Sequence, residues 1–141
     1  MGLALEQAKK AEINGEVPVG AVFIDGDQVI AEAGNAPITL NDPTAHAEIL
    51  TLREAASKKG NYRLGGTLFV TLEPCIMCMG ALIHARVKKL IFGAYDPRSG
   101  AALSVYNFSD SPHLNHRIEV EGGILERESQ LLLKDFFKAR R

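Results

Sequence analysis

Residues 67–85, TLFVTLEPCIMCMGALIHA, change from the pattern of a strand to that of a helix within a few positions. Residues 67–72 are rich in β-branched and apolar side chains and lie between turn-forming residues, which predicts a strand. Pro74 then stands where a helix begins, a position at which its missing N–H costs nothing. We therefore expect a strand-to-helix junction with Cys75 and Cys78 on the first turn of the helix.

The segments on either side of this junction alternate between strand and helix patterns. The turn at residues 25–27, Asp-Gly-Asp, predicts a hairpin and so at least one antiparallel pair of strands. Strands interleaved with helices of ten or more residues predict an α/β fold whose layered sheet also contains parallel pairs. The length of 141 residues predicts a single domain over residues 1–141. The predicted helices cover residues 3–14, 45–59, 75–85 and 125–139, the strands 19–24, 28–33, 67–72, 89–95 and 117–120, and the loops 35–42 and 96–116.

Local signals give finer expectations for the helix at 45–59 and for the second long loop. Asp42 or Thr44 is expected to cap the helix, because both side chains can accept a hydrogen bond from a free backbone N–H. Gly60 is expected to end it. The loop at 96–116 is expected to contain a short helix near residues 103–108.

Composition and charge exclude several classes of protein. The longest apolar runs, residues 20–24 and 131–133, are far too short to span a bilayer. Residues 1–10 lack an apolar segment, so we expect no secretory signal. Both cysteines lie in one Cys-x-x-Cys and do not form a secreted disulfide framework, which favours a cytoplasmic protein. The net charge of −1 gives no global attraction for nucleic acid, although sixteen Lys and Arg residues leave room for a local basic face.

Three metal-binding side chains occur at predicted helix N-termini. Cys75 and Cys78 are spaced so that both face one point, and the positive end of their helix favours the thiolate forms. His46 lies at the start of another helix, and one imidazole with two thiolates suits Zn²⁺. No fourth protein ligand occurs at comparable spacing. We therefore expect one Zn²⁺ per chain in a catalytic site with a position left open for water, because structural zinc sites are usually closed by four ligands.

Glu48 follows His46 by two residues, close to the expected metal but displaced along the helix. Zinc would lower the pKa of its water enough to supply hydroxide near neutrality. Glu48 would accept that water's proton, pass it to the substrate, and help an amine depart as ammonia. His-x-Glu followed by Pro-Cys-x-x-Cys is the known signature of zinc-dependent nucleobase deaminases, so we expect Glu48 to be catalytic.

Other interpretations of these residues explain less of the pattern. A thiol–disulfide oxidoreductase also places Cys-x-x-Cys at a strand-to-helix junction, but it leaves His46 and Glu48 without a role. A structural zinc knuckle would lack its fourth ligand. A non-catalytic RNA-binding partner subunit has no chemical need for Glu48. A free-base or nucleoside deaminase of the cytosine or guanine type shares the zinc motifs and stays open as the main alternative.

A family resemblance extends over nearly the whole chain. It is carried by DPTAHAE at 42–48, TLEPCIMC at 71–78, GALIHAR at 80–86, FGAYD at 92–96, NHR at 115–117 and DFFKARR at 135–141. These segments resemble the bacterial tRNA-specific adenosine deaminases, a branch of the cytidine and deoxycytidylate deaminase superfamily. The zinc motifs are shared across that superfamily, whereas Ile83-His84 and the Phe-Phe-x-x-Arg-Arg tail favour the tRNA enzymes.

The resemblance implies hydrolytic conversion of adenosine to inosine at the wobble position of a tRNA anticodon. It implies a three-layer α/β/α cytidine-deaminase-like fold with a central five-stranded mixed sheet. It also implies a homodimer whose further partner is the tRNA anticodon loop and not a membrane.

The resemblance further implies how the substrate is held. Asn35 would hydrogen-bond the flipped nucleoside, and the ribose with its neighbouring backbone would contact His84 and Asp96. The base pocket would be lined by Val17, Pro37 and Ala47, and the flanking anticodon nucleotides would contact Phe137, Arg140 and Arg141.

Overall fold

The computed structural model describes residues 1–141, and it contains five strands and five α-helices. Most element boundaries lie within two residues of the predicted ones. The strands are β1 (Gly20–Asp25), β2 (Gln28–Gly34), β3 (Thr67–Leu72), β4 (Lys89–Ala94) and β5 (Glu119–Glu121). The helices are α1 (Gly2–Ile13), α2 (Pro37–Leu40), α3 (Ala47–Lys59), α4 (Ile76–His84) and α5 (Glu126–Lys138), with one 3₁₀ turn at Phe108–Asp110.

The five strands form one mixed sheet in the order β2-β1-β3-β4-β5. The hairpin pairs β1 with β2 in antiparallel fashion, and β1 is also antiparallel to β3. The connection through α4 makes β3 and β4 parallel, and β5 adds to β4 in parallel. The expectation of a mixed five-stranded sheet is confirmed.

Helices cover both faces of the sheet. The helices α1 and α5 contact each other and lie on one face, α1 over β1 and β2 and α5 over β4. The helices α3 and α4 contact each other on the opposite face, where residues such as Phe23, Leu68 and Leu82 form the main hydrophobic core. The result is the expected three-layer α/β/α arrangement. No helix of the chain combines the length and the apolar character needed to cross a membrane.

The first helix lies very close to the sheet because glycine and alanine face each other. A Cβ atom at Gly20 would lie 2.0 Å from the carbonyl oxygen of Ala4. Ala4, Ala8 and Ala11 are the buried residues of α1. This close packing fixes the start of β1, just after the segment that forms one side of the candidate site.

The start of α3 differs from the expectation. His46 is the N-cap residue, and neither Asp42 nor Thr44 caps the helix with its side chain. Asp42 Oδ1 instead accepts hydrogen bonds from the backbone N–H of Thr44, at 2.8 Å, and from its hydroxyl, at 2.7 Å. The local turn before the helix therefore uses the capping groups, and His46 is left at the helix end with its ring free to bind a ligand.

The two long connections also differ in detail from the prediction. Residues 35–42, expected to be a loop, contain the short helix α2, which begins at Pro37 and ends at Asn41 in the left-handed conformation. The helical turn expected near residues 103–108 lies at Phe108–Asp110 instead. Gly60 ends α3 in the left-handed conformation, as expected.

Candidate active site

Two helix N-termini on the same side of the sheet bring the three predicted metal ligands together. His46 and Cys75 are the N-cap residues of α3 and α4, and Cys78 lies on the first turn of α4. The Nδ1 atom of His46 lies 3.6 Å from the Sγ of Cys75 and 3.5 Å from that of Cys78. The three donor atoms all lie within 4.8 Å of one another, and no other group of three or more His, Cys, Asp or Glu side chains in the chain is arranged in this way.

These donors fit Zn²⁺. One imidazole nitrogen and two thiol sulfurs on one small centre are the ligand types that zinc prefers. Without a metal, a hydrogen bond from the Cys78 thiol lowers the pKa of Cys75 to about 4, while the same hydrogen bond and burial raise the pKa of Cys78. One of the two sulfurs is therefore already a thiolate at neutral pH, and a bound cation would deprotonate the other.

Glu48 lies on the first turn of α3 and is 4% exposed. Burial raises the pKa of its carboxyl group above the ordinary value, because removal from water disfavours the charged form. A carboxyl group whose pKa is raised holds a proton more readily than an exposed one, which suits a group that takes up and delivers protons. Its position beside the three metal donors matches the role of proton carrier.

A cavity of about 280 Å³ opens onto His46, Cys75 and Glu48. Four of the residues expected to bind substrate line it, namely Val17, Asn35, Pro37 and Asp96. The remaining lining residues are His46, Glu48, Cys75, Val19, Leu72, Glu73 and Ser99. The cavity therefore joins the candidate metal centre to four of the nine substrate residues predicted from the sequence; Ala47, His84, Phe137, Arg140 and Arg141 do not line it.

Asn35 is held in place by the start of α3. Its side-chain Oδ1 accepts a hydrogen bond of 2.8 Å from the backbone N–H of Ala47, and its backbone N–H donates to the carbonyl of Val19 at 2.9 Å. Because the oxygen of the amide is already used, the side-chain NH₂ group remains as the donor that Asn35 offers to the cavity. Ala47 is fully buried and contributes this backbone N–H.

Sequence reasoning missed Glu73 and Ser99, which line the cavity next to Asp96. Glu73 is 2% exposed and lies two residues before Cys75. Ser99 donates its hydroxyl hydrogen bond to Oδ2 of Asp96 at 2.9 Å, so the Asp96 carboxylate is fixed by its own turn. Glu73 belongs to the motif at 71–78. The one sequence signal for a role was a charged residue directly after an apolar strand.

His84 does not line this cavity. It is the last residue of α4, nine residues after Cys75, which corresponds to roughly 13 Å along the helix axis. Its side chain lies in a second, apolar groove between α3 and α4. Within one chain, His84 is therefore separate from the candidate metal centre.

The tail residues lie on or after α5, on the other face of the sheet from α3 and α4. Phe136 takes a buried position of this helix, and Phe137 is 48% exposed. Arg140 stacks on the Phe136 ring, 3.5 Å from its centroid. Phe137, Arg140 and Arg141 are thus accessible, and none of them lines the cavity.

Comparison with known proteins places the chain in a family. Residues 1–94 match the family described as the cytidine and deoxycytidylate deaminase zinc-binding region. The chain is 50% identical over 143 aligned residues to the tRNA-specific adenosine deaminase of Haemophilus influenzae, covering 100% of this chain and 83% of that protein. It is 45% identical to the Bacillus subtilis protein of the same name, covering 98% of this chain and 86% of that protein.

A solved structure is similar over almost the whole fold. It comes from a study of A-to-I editing by tRNA:A34 deaminases at the wobble position of transfer RNA, and it is 46% identical with a TM-score of 0.91. The match covers 94% of this chain and 97% of that one. The chain therefore belongs to the cytidine and deoxycytidylate deaminase family of zinc-binding proteins, among its tRNA-specific adenosine deaminases.

Proposed function

We propose that this protein hydrolyses adenosine to inosine at the wobble position of a tRNA anticodon. The observation that carries the proposal is the buried Glu48 beside the donors of His46, Cys75 and Cys78, at a cavity large enough to enclose a base. The tRNA substrate is supported by relatives that are named tRNA-specific adenosine deaminases and that match this chain over nearly its full length.

In the proposed mechanism His46, Cys75 and Cys78 hold one Zn²⁺ per chain. When bound, zinc lowers the pKa of a water molecule and so supplies a nucleophile at neutral pH. Glu48 accepts a proton from the attacking water and delivers it to a ring nitrogen of the base. A new C6–O bond forms and the C6–N bond of the amino group breaks. Glu48 carries the proton of the new hydroxyl group to the amino group, which leaves as ammonia.

The remaining residues bind and orient the nucleoside. A base must leave its stack to reach a buried site, and a single-stranded anticodon loop makes this inexpensive. The apolar walls are Val17 and Pro37, while Ala47 holds Asn35 through its backbone N–H, and Asn35 donates a hydrogen bond to the base. Contacts to the ribose and its neighbouring backbone are assigned to Asp96, which lines the cavity, and not to His84, which lies in the separate groove between α3 and α4. Contacts to flanking nucleotides are assigned to Phe137, Arg140 and Arg141.

A substrate panel tests the proposed function. The zinc-loaded protein is incubated with a tRNA anticodon stem-loop, free adenosine, cytidine and guanine, and each product is identified by its mass. Inosine formed in the stem-loop alone is the expected result. Turnover of a free base or nucleoside without turnover of the stem-loop would instead establish the small-molecule deaminase.

Replacement of Asn35 tests whether its NH₂ group reads the base. Asn35→Asp keeps the oxygen that accepts from Ala47 but has no N–H to donate, so we expect kcat/KM on the stem-loop to fall by about 10- to 100-fold. Zinc content and melting temperature are expected to stay near those of the wild type. The control is Asn61→Asp, because Asn61 lies in an exposed turn after α3. An Asn35→Asp variant with wild-type kcat/KM would remove Asn35 from the site.

We also propose that the protein is a homodimer, with contacts between copies at the apolar groove formed by α3 and α4. Ile49, Ala81 and Tyr62 contribute to this groove, in which seven of nine lining residues are hydrophobic. Ala81→Arg is expected to convert a dimer to a monomer in analytical ultracentrifugation, because it introduces a charge into the apolar contact. The control is Ser57→Arg, at an exposed position of the same helix pair. A wild type that sediments as a monomer at every concentration would contradict the proposal.

We infer further that residues 1–141 act as one deaminase domain in the cytoplasm. One sheet and one main core run through the chain, and the two cysteines are free thiols that bind metal only while reduced. Cell fractionation tests the location. Recovery of the active protein with the cytoplasmic fraction supports it, and recovery with membranes would contradict it.

A further inference from the structure

The carboxylate of Glu73 accepts hydrogen bonds from one distant segment of the chain, residues 96–104. Its Oε1 accepts from the backbone N–H groups of Leu103 and Ser104, both at 2.8 Å. Its Oε2 accepts from the backbone N–H of Asp96 at 2.9 Å and from the hydroxyl of Ser104 at 2.6 Å. No Lys or Arg forms a salt bridge with it. A buried anion is therefore compensated by four donors of a single segment.

Only a carboxylate satisfies this arrangement. Four hydrogen-bond donors meet two oxygens, two on each, and a carboxylate offers acceptor sites for all of them. A glutamine would turn an NH₂ group towards the N–H of either Asp96 or Leu103, leaving buried donors facing each other. Such unsatisfied buried groups are costly, so the segment would move away from Glu73.

Gly100 provides a second, independent observation of the same contact. A Cβ atom at Gly100 would lie 2.3 Å from Oε2 of Glu73. The segment is thus packed against the carboxylate so closely that only glycine fits at this position. A hydrogen bond of 2.8 Å from the N–H of Ala101 to the carbonyl of Pro74 fastens the segment beside Cys75.

The segment held in this way forms one wall of the cavity. Asp96 and Ser99 line the cavity. Glu73 holds the segment at two points, the backbone N–H of Asp96 and that of Ser104, and Ser99 lies between them. The hydroxyl of Ser99 is bound to Asp96, so the two side chains move together with their backbone. The distance between this wall and Glu48 therefore depends on the Glu73 carboxylate.

We propose that Glu73 is a positioning residue that fixes the Asp96–Ser99 wall and so determines how tightly the nucleoside is bound. This inference rests on the proposed function for its substrate, but not for the contacts of Glu73 with its own chain. A wall that contacts the nucleoside equally before and during the reaction contributes to KM and hardly to kcat. Loss of Glu73 is therefore expected to separate the two constants.

Three variants change the contact in graded steps. Glu73→Gln and Gly100→Ala are each expected to raise KM for the anticodon stem-loop about tenfold while kcat falls less than about threefold. Ser104→Ala removes one donor of four and is expected to raise KM by about threefold or less. The stability control is Val22→Ala, which leaves a cavity on the face of β1 that packs against α1. It is expected to lower the melting temperature and leave KM unchanged.

Hydrogen–deuterium exchange and zinc analysis provide readouts that do not depend on turnover. In Glu73→Gln the amides of Leu103 and Ser104 are expected to exchange at least about tenfold faster than in the wild type, while zinc stays at one per chain. Unchanged exchange, or a fall in zinc and kcat together with a constant KM, would overturn the proposal. Wild-type protein that turns over only small molecules would overturn the tRNA function, and the exchange result would still decide the role of Glu73.

Discussion

Glu48→Ala and Glu48→Gln are expected to lower kcat for inosine formation by about 10⁴-fold while the protein keeps one zinc per chain, since a general acid–base group commonly contributes 10²- to 10⁴-fold. The loss should lie at the upper end, because in the proposed mechanism the same carboxyl group serves the attack of water, protonation of the ring and departure of ammonia. The carboxyl group is buried, so no solvent-exposed group can easily take its place beside the donors.

The measurement combines mass detection of inosine in the stem-loop with metal analysis of the same protein sample. Glu54→Gln is the matched control, because Glu54 lies on α3 as well but pairs with Lys58 at the surface. We expect the control to keep wild-type activity. A Glu48→Gln variant that retains a tenth or more of the wild-type rate would show that another group carries the proton.

Loss of one thiol ligand is expected to remove both the metal and the activity. Cys78→Ser replaces a soft sulfur by a hard hydroxyl oxygen at a buried position and leaves two of the three protein donors. Zinc is expected to fall below about a tenth of an equivalent after dialysis, and deamination to fall at least about 10³-fold with it. The fold itself should persist, because the core between α3 and α4 is formed by apolar side chains.

Zinc content, activity and circular dichroism are measured on the same preparation. Met79→Leu serves as the control, since it changes a buried neighbour of Cys78 with little change in volume. It is expected to keep both zinc and activity. Full activity of a zinc-free Cys78→Ser protein would contradict a metal-dependent mechanism.

The strands and helices that carry the metal ligands could be predicted from the sequence. The hydrogen bonds at the ends of these elements could be predicted less completely. Residues 67–72 form a strand with the predicted limits, and Cys75 lies at the helix start, because a β-branched run followed by proline has few alternative structures. The start of α3 was placed two residues early. Asp42 and Thr44 are residue types that cap helices, but here the Asp42 carboxylate accepts the hydrogen bond from Thr44 and neither side chain bonds to the helix.

The cavity walls depend on contacts between residues far apart in the chain. Glu73 accepts hydrogen bonds from residues 23 to 31 positions away, and those donors are backbone N–H groups and one hydroxyl that carry no sequence signal of their own. Asn35 is fixed by the backbone of Ala47 in the same way. His84 shares the motif segment of α4 with the thiols, yet the length of the helix separates it from the cavity.

The buried carboxyl group of Glu48 and the metal donors are proposed to act together on one adenosine of a tRNA. Sequencing of a full-length tRNA transcript after treatment with the zinc-loaded protein or with Glu48→Gln decides whether they do. Inosine at the wobble adenosine alone, absent with the variant, is the predicted result. A transcript without inosine, or with inosine spread over other adenosines of the anticodon loop, would show that the protein is not a deaminase of the wobble adenosine.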